Sequence, residues 1–153
     1  MLNQALSRQA GATLVEALIA LLIFSLGILG LVSLQAASIK NSIDAKYRAD
    51  AAYLANQIIA QMWVDRSNID SYAHYATVGA SACAPGGGAS TQANVTAWTT
   101  QLANALPGAA ANMQSIEVTT PFANVRQVQV TVCWRSPQET AAHNFVATAQ
   151  INT

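Results

Sequence analysis

The chain has 153 residues, enough for one domain with a modest core, and only 9% of them are charged, against roughly 25% in an average soluble domain. Seven Lys and Arg balance seven Asp and Glu, so the totals offer no basic face of the kind that holds nucleic acid. Charge is also unevenly placed: between Arg66 and Glu117 only Asp70 carries one, and polarity there comes from Ser, Thr, Asn and Gln, a composition suited to an extracytoplasmic surface.

The first ten residues hold one cation, Arg8, and no acid. Glu16 follows, and residues 17–39 then run for 23 positions without a charge. Roughly 20 apolar residues cross a bilayer as a helix, whereas a secretory signal has an apolar core of about 7–15 residues and a small-residue cleavage site after it. The run here is longer and continues into more helix, which predicts a membrane anchor. The Arg8 side is expected in the cytoplasm and the C-terminal bulk across the membrane. Gly27 and Gly30 interrupt the run at a cost of about 1 kcal/mol each relative to alanine. Close packing against other helices accounts for them, and so does a point where the helix can unwind or bend.

Helical periodicity persists beyond the anchor. Ile39, Ile43, Tyr47, Ala51, Leu54, Ile58 and Met62 recur at spacings of three and four and mark one apolar stripe. Asp44 with Arg48, and Lys46 with Asp50, are spaced to pair on the other faces. No proline occurs before Pro85. The pattern predicts one helix from about Thr13 to Val64, roughly 78 Å long. Its second half needs a partner along the stripe, most simply a sheet of the same chain.

Residues 65–95 read mostly as loop, and "ACAPGGGAST" (82–91) is turn and linker chemistry. Its glycine run lacks the Lys-Ser/Thr and the preceding strand of a phosphate loop. "VTAWTTQLANALPG" (95–108) predicts a short covering helix, with Trp98, Leu102 and Leu106 on one face and Pro107-Gly108 as its stop. The period then changes to two. "SIEVTT" (115–120), "VRQVQVTVCW" (125–134) and "NFVATAQI" (144–151) predict three antiparallel strands, joined by "PFAN" (121–124) and "SPQETAAH" (136–143). Val128, Val130, Val132 and Trp134 share one face of the middle strand. The fold class is α+β: a long N-terminal helix whose second half packs on a small antiparallel sheet, the other sheet face toward solvent.

Two cysteines, Cys83 and Cys133, stand 50 residues apart, with no CxxC pair. For an exported domain a disulfide is the default expectation, contributing on the order of 4 kcal/mol; two unrelated buried thiols is the other reading. Cys133 lies opposite the valine face, so a bridge would strap the 65–95 segment across the outer face or edge of the sheet. The acids, bases and possible nucleophiles, among them His74, His143, Asp65, Asp70, Glu117 and Glu139, show no spacing of a triad or metal site. No enzyme, cofactor or metal is expected, and both histidines read as surface loop residues.

Gly11, then Ala12-Thr13-Leu14-Val15-Glu16, then the long apolar run resemble the type IV pilin family. In that family prepilin peptidase cuts after the glycine and methylates the new N-terminus. The resemblance implies a cut between Gly11 and Ala12, N-methylation at Ala12, and a role for Glu16 in setting the axial register of one helix against the next. "LGILGLVSLQ" (26–35), Trp98 with "LPG" (106–108), and "VTVCW" (130–134) resemble the PilV-type minor pilins, also called type IV pilus modification proteins, over most of the chain outside 65–95. Ala12 stands where many major pilins have phenylalanine, and Ser33 where many have proline; both favour a minor subunit.

The resemblance implies a cleaved leader (1–11), a transmembrane and filament-core helix (12–39), its amphipathic continuation (40–64) and a globular pilin head (65–153). It implies a single-pass inner-membrane protein that joins an extracellular pilus. Its expected partners are prepilin peptidase, other minor pilins, the major pilin and the inner-membrane assembly platform. It would prime or cap the pilus and support biogenesis, adhesion or twitching motility. The alternatives are a minor pseudopilin of a type II secretion system and a membrane-anchored binding module. No nucleic acid is expected, since the seven Lys and Arg are scattered.

Overall fold

A computed structural model describes residues 10–137 and 139–152. The expected leader, 1–11, lies for residues 1–9 outside the described residues. The chain forms two units, one up to Asp44 and one from Ala45 onward.

The first unit is helix. α1 spans Ala10–Val64, starting earlier than the apolar periodicity suggests and ending at the expected residue. In this first part every side chain from Ala12 to Ile43 is exposed.

The second unit contains the last turns of α1 and everything after it. Ala51, Leu54, Ala55, Ile58, Ile59 and Met62 are buried, at the i, i+3, i+4 and i+7 spacing of one helix face. The stripe is thus wider than expected, and it starts later. Ile39 and Ile43 are exposed, and Tyr47 is only half-buried. Periodicity reports which side of a helix is apolar; it does not report where cover begins. Lys46 and Asp50 form the expected pair at 3.6 Å.

Residues 65–95 depart most from expectation. A 3-10 helix, Arg66–Tyr72, buries Ile69 and Tyr72. Strands β1 (Thr77–Ser81) and β2 (Ala84–Gly86) then pair as a small antiparallel hairpin around Ala82 and Cys83. β1 and β2 approach closely at Gly79, where a Cβ would run into the Ala84 carbonyl oxygen. The Gly and Pro content that reads as linker therefore serves a compact folded strap.

α2 (Ala93–Ala105) begins at Gln92, whose side chain accepts the Asn94 N–H at 3.1 Å. Val95, Trp98, Thr99 and Leu102 form its buried face, and Leu106 follows at its end. Trp98 Nε1 donates to the Leu54 carbonyl at 2.9 Å, which fixes α2 against the last turns of α1. Gly108, at φ 62°, turns the chain where any side chain would press on Arg135, and Arg135 N donates to the Pro107 carbonyl at 2.9 Å.

The main sheet has the order β3-β4-β5, all antiparallel: Ser115–Phe122, Val125–Trp134 and His143–Asn152. The β3–β4 turn is tighter than expected, because Pro121 and Phe122 belong to β3 and only Ala123 and Asn124 remain. Asn124 takes φ 63°, which asparagine tolerates better than most residues. Ile116, Val128, Val130, Val132, Trp134 and Ile151 join the buried faces of α1 and α2 in one core. The outer face is not wholly solvent-facing: Thr131 is 4% and Cys133 0% exposed.

Candidate functional site

Two regions hold the residues that sequence reasoning singles out. The first is the start of α1. Gly11 and Ala12 lie in its opening turn, and Glu16 follows Ala12 by four residues, one turn along the same side. Leu14, Leu18, Phe24, Leu29 and Leu34 are among the large apolar side chains exposed around the helix. In water such a surface is strongly unfavourable, at about 25 cal/mol per Å² of apolar area. It belongs in lipid or against other helices.

The polar groups within the stretch fit that setting. Ser25 Oγ donates to the Leu21 carbonyl at 2.7 Å and Ser33 Oγ to the Leu29 carbonyl at 3.0 Å, so both hydroxyls are satisfied without water. Nothing lies within 4 Å of where a Cβ would sit on Gly27 or Gly30, and α1 continues through both. Among the described residues α1 is the one helix long and apolar enough to cross a membrane, and its most apolar window is fully exposed.

The second region is the strap on the head. Cys83 and Cys133 are joined, with Cα atoms 5.7 Å apart, which ties the β1–β2 turn to the outer side of β4. His74, His143, Asp65, Asp70 and Glu139, read from sequence as possible acids and bases, are engaged in holding elements together, while Glu117 stands opposite Gln129 in the β3–β4 ladder. His74, expected at the surface, is 3% exposed. It bridges to Ile116 of β3, its Nδ1 accepts the Ser90 N–H at 3.0 Å, and its Nε2 lies 3.0 Å from the Ala111 carbonyl. That arrangement assigns the proton to Nε2. Burial pushes the imidazole below its ordinary range, and the Ala111 bond acts the other way. His143, also expected in a surface loop, is half-buried as the first residue of β5; it pairs with Glu139 and stacks on Trp134 at 5.7 Å between ring centroids.

Asp65 ties together the corner after α1 through side-chain bonds. It accepts from Asn68 at 2.7 Å, and from the Tyr72 hydroxyl and Gln92 Nε2 at 3.2 Å each. Burial pushes the Tyr72 hydroxyl up; Asp65 adds to this and the bond from Asn94 opposes it. Asp70 pairs with Arg126 through two nitrogens, at 2.9 and 3.3 Å. The sequence pattern places His74 at the surface and gives no sign of Gln114, which is wholly buried. No periodicity marks either, because each bonds backbone that the fold brings from elsewhere.

Residues 6–32 match the family described as the prokaryotic N-terminal methylation motif. The match covers the expected cleavage site, Glu16 and most of the apolar run. It indicates a prepilin-like substrate of the pilin or pseudopilin kind, a class of structural subunits. Such a motif implies processing by prepilin peptidase and assembly into a pilus or pseudopilus. No curated protein and no solved structure matches the chain.

Proposed function

We propose that the chain is a minor pilin of the PilV type. Prepilin peptidase cuts it between Gly11 and Ala12 and methylates Ala12. The protein then waits in the inner membrane, N-terminus in the cytoplasm and head in the periplasm. The assembly platform draws it, with other minor pilins and the major pilin, into the type IV pilus, which it primes or caps.

The observation that carries this reading is Glu16, the one acid at the head of an uncharged, exposed helix, inside the matched motif. A charge costs ~2.5–3.5 kcal/mol at the bilayer centre on insertion scales and less near the interface, where Glu16 stands at the start of the apolar run, and an ionisable group in such a segment calls for a use. Cleavage after Gly11 creates an amine four residues before it. In a filament, Glu16 pairs with the amine of a neighbouring subunit, and the pair fixes the axial register of two helices. Gly27 and Gly30, open on all sides in the single chain, are where the helix yields or packs closely once it leaves lipid. The disulfide strap and the sparsely charged head suit a subunit exposed outside the cell.

The test is immunodetection of the protein in sheared, purified pili. It is expected in the filament fraction and absent from cells lacking the pilus assembly platform. Recovery only with a secretion pseudopilus would replace this reading by the pseudopilin alternative.

A further inference from the structure

The two edges of the main sheet are treated differently. The β3 edge is guarded. Pro121 sits in the strand, the register slips between Thr119 and Phe122, Glu117 adds a charge, and His74 forms a bridge with Ile116. Each device discourages further strand pairing. Beyond His143, whose ring pairs with Glu139 at the start of the strand, the β5 edge carries none of them. His143–Asn152 contains no Asp, Glu, Lys, Arg, Pro or Gly. It pairs with β4 at every residue from Asn152 to His143 without a bulge, and among the described residues β4 is its one neighbour in the sheet. The rim of the core at this edge is also unfinished. Ile151 is fully buried, but Phe145, Ala147 and Ala149 are only half-buried, and Val146 on the other face is 45% exposed.

A row of unpaired amide and carbonyl groups is satisfied by another extended backbone. The side-chain pattern that suits β5 is already present in β4, which sets Val132, Val130 and Val128 opposite Phe145, Ala147 and Ala149. β-branched residues opposite one aromatic ring and two alanines fill the pleat. We propose that β5 is a docking strand. It takes up, as a fourth strand of the sheet, an extended segment of another protein chain that is uncharged at its centre and β-branched at alternate positions. The inference rests on the sheet alone and stands whatever the N-terminal motif does.

The probe is a synthetic peptide of the β4 sequence, residues 125–134 with Cys133→Ser, added to the full chain in detergent micelles. Saturable binding is expected, with slowed amide hydrogen exchange at alternate residues of β5. Thr148 is exposed, so Thr148→Lys leaves the disulfide and circular dichroism unchanged while weakening binding by at least about tenfold. The same peptide, N-methylated at alternate backbone nitrogens, is expected not to bind. The proposal is overturned by absence of saturable binding, by unchanged exchange at β5, by equal binding of the N-methylated peptide, or by Thr148→Lys binding as tightly as the parent.

Discussion

Gln114 and Cys133 exchange two hydrogen bonds: Cys133 N donates to Gln114 Oε1 at 2.8 Å, and Gln114 Nε2 donates to the Cys133 carbonyl at 3.0 Å. A side-chain amide here stands in for a neighbouring strand. Its second amide hydrogen serves the Ala110 carbonyl at 3.0 Å. The residue that carries the disulfide is thereby held on its backbone as well as through its sulfur. Gln114→Ala leaves buried backbone groups unpaired, and a loss of about 3 kcal/mol is expected. Urea unfolding of the solubilised protein measures it. Gln114→Glu keeps the acceptor, loses both donors and buries a carboxylate, so it is expected to lose stability as well. A loss below about 0.5 kcal/mol for Gln114→Ala would mean that water replaces the amide.

The Cys83–Cys133 bridge closes a loop across 50 positions and holds the strap on β4. Removing it by reduction, or by Cys83→Ser with Cys133→Ser, is expected to cost about 4 kcal/mol. Thermal unfolding with and without reductant reads this out. Because the main core of α1, α2 and the sheet lies on the other face of β4, hydrogen exchange is expected to rise first in residues 77–86.

His74 predicts a pH dependence with a definite sign. Its folded-state pKa is depressed, chiefly by burial, so folding favours the neutral ring. The stability it contributes is complete above its unfolded value of about 6.5 and is lost as pH falls below it. Protonation also removes the Nδ1 lone pair that receives the Ser90 N–H. The parent protein should therefore lose stability as pH falls below about 6.5, and His74→Gln should show a flatter profile over the same descent. Equal slopes would remove His74 as the titrating group.

The parts of the fold read correctly from sequence are those where one period dominates. The 3.6-residue spacing of Leu54, Ile58 and Met62, and the alternation of Val128, Val130 and Val132, each name a buried face that the structure buries. What escaped is non-periodic. The strap over β4 depends on Gly79 meeting Ala84 across a hairpin, and His74 and Gln114 depend on backbone groups 16 to 37 residues away. The exposure of Ile39 and Ile43 was equally illegible, since their spacing continues that of the buried stripe.

Glu16→Ala separates anchoring from assembly. The apolar run from Ala17 to Ile39 is intact in this variant, so membrane insertion is expected to be unchanged. Incorporation into sheared pili is expected to fall severalfold, because the proposed pairing with a neighbouring subunit's amine would be lost. Quantitative immunoblots of membrane and pilus fractions from the same cells give both values. Normal incorporation would remove the register role of Glu16.

In the proposed function the chain is a prepilin cut between Gly11 and Ala12. The most direct measurement is the mass of the N-terminal peptide of the protein isolated from cell membranes. A peptide that begins at Ala12 and carries one added methyl group is the expected result, with Gly11→Leu retaining the leader. A peptide that begins at Met1, or at any residue other than Ala12, would contradict it.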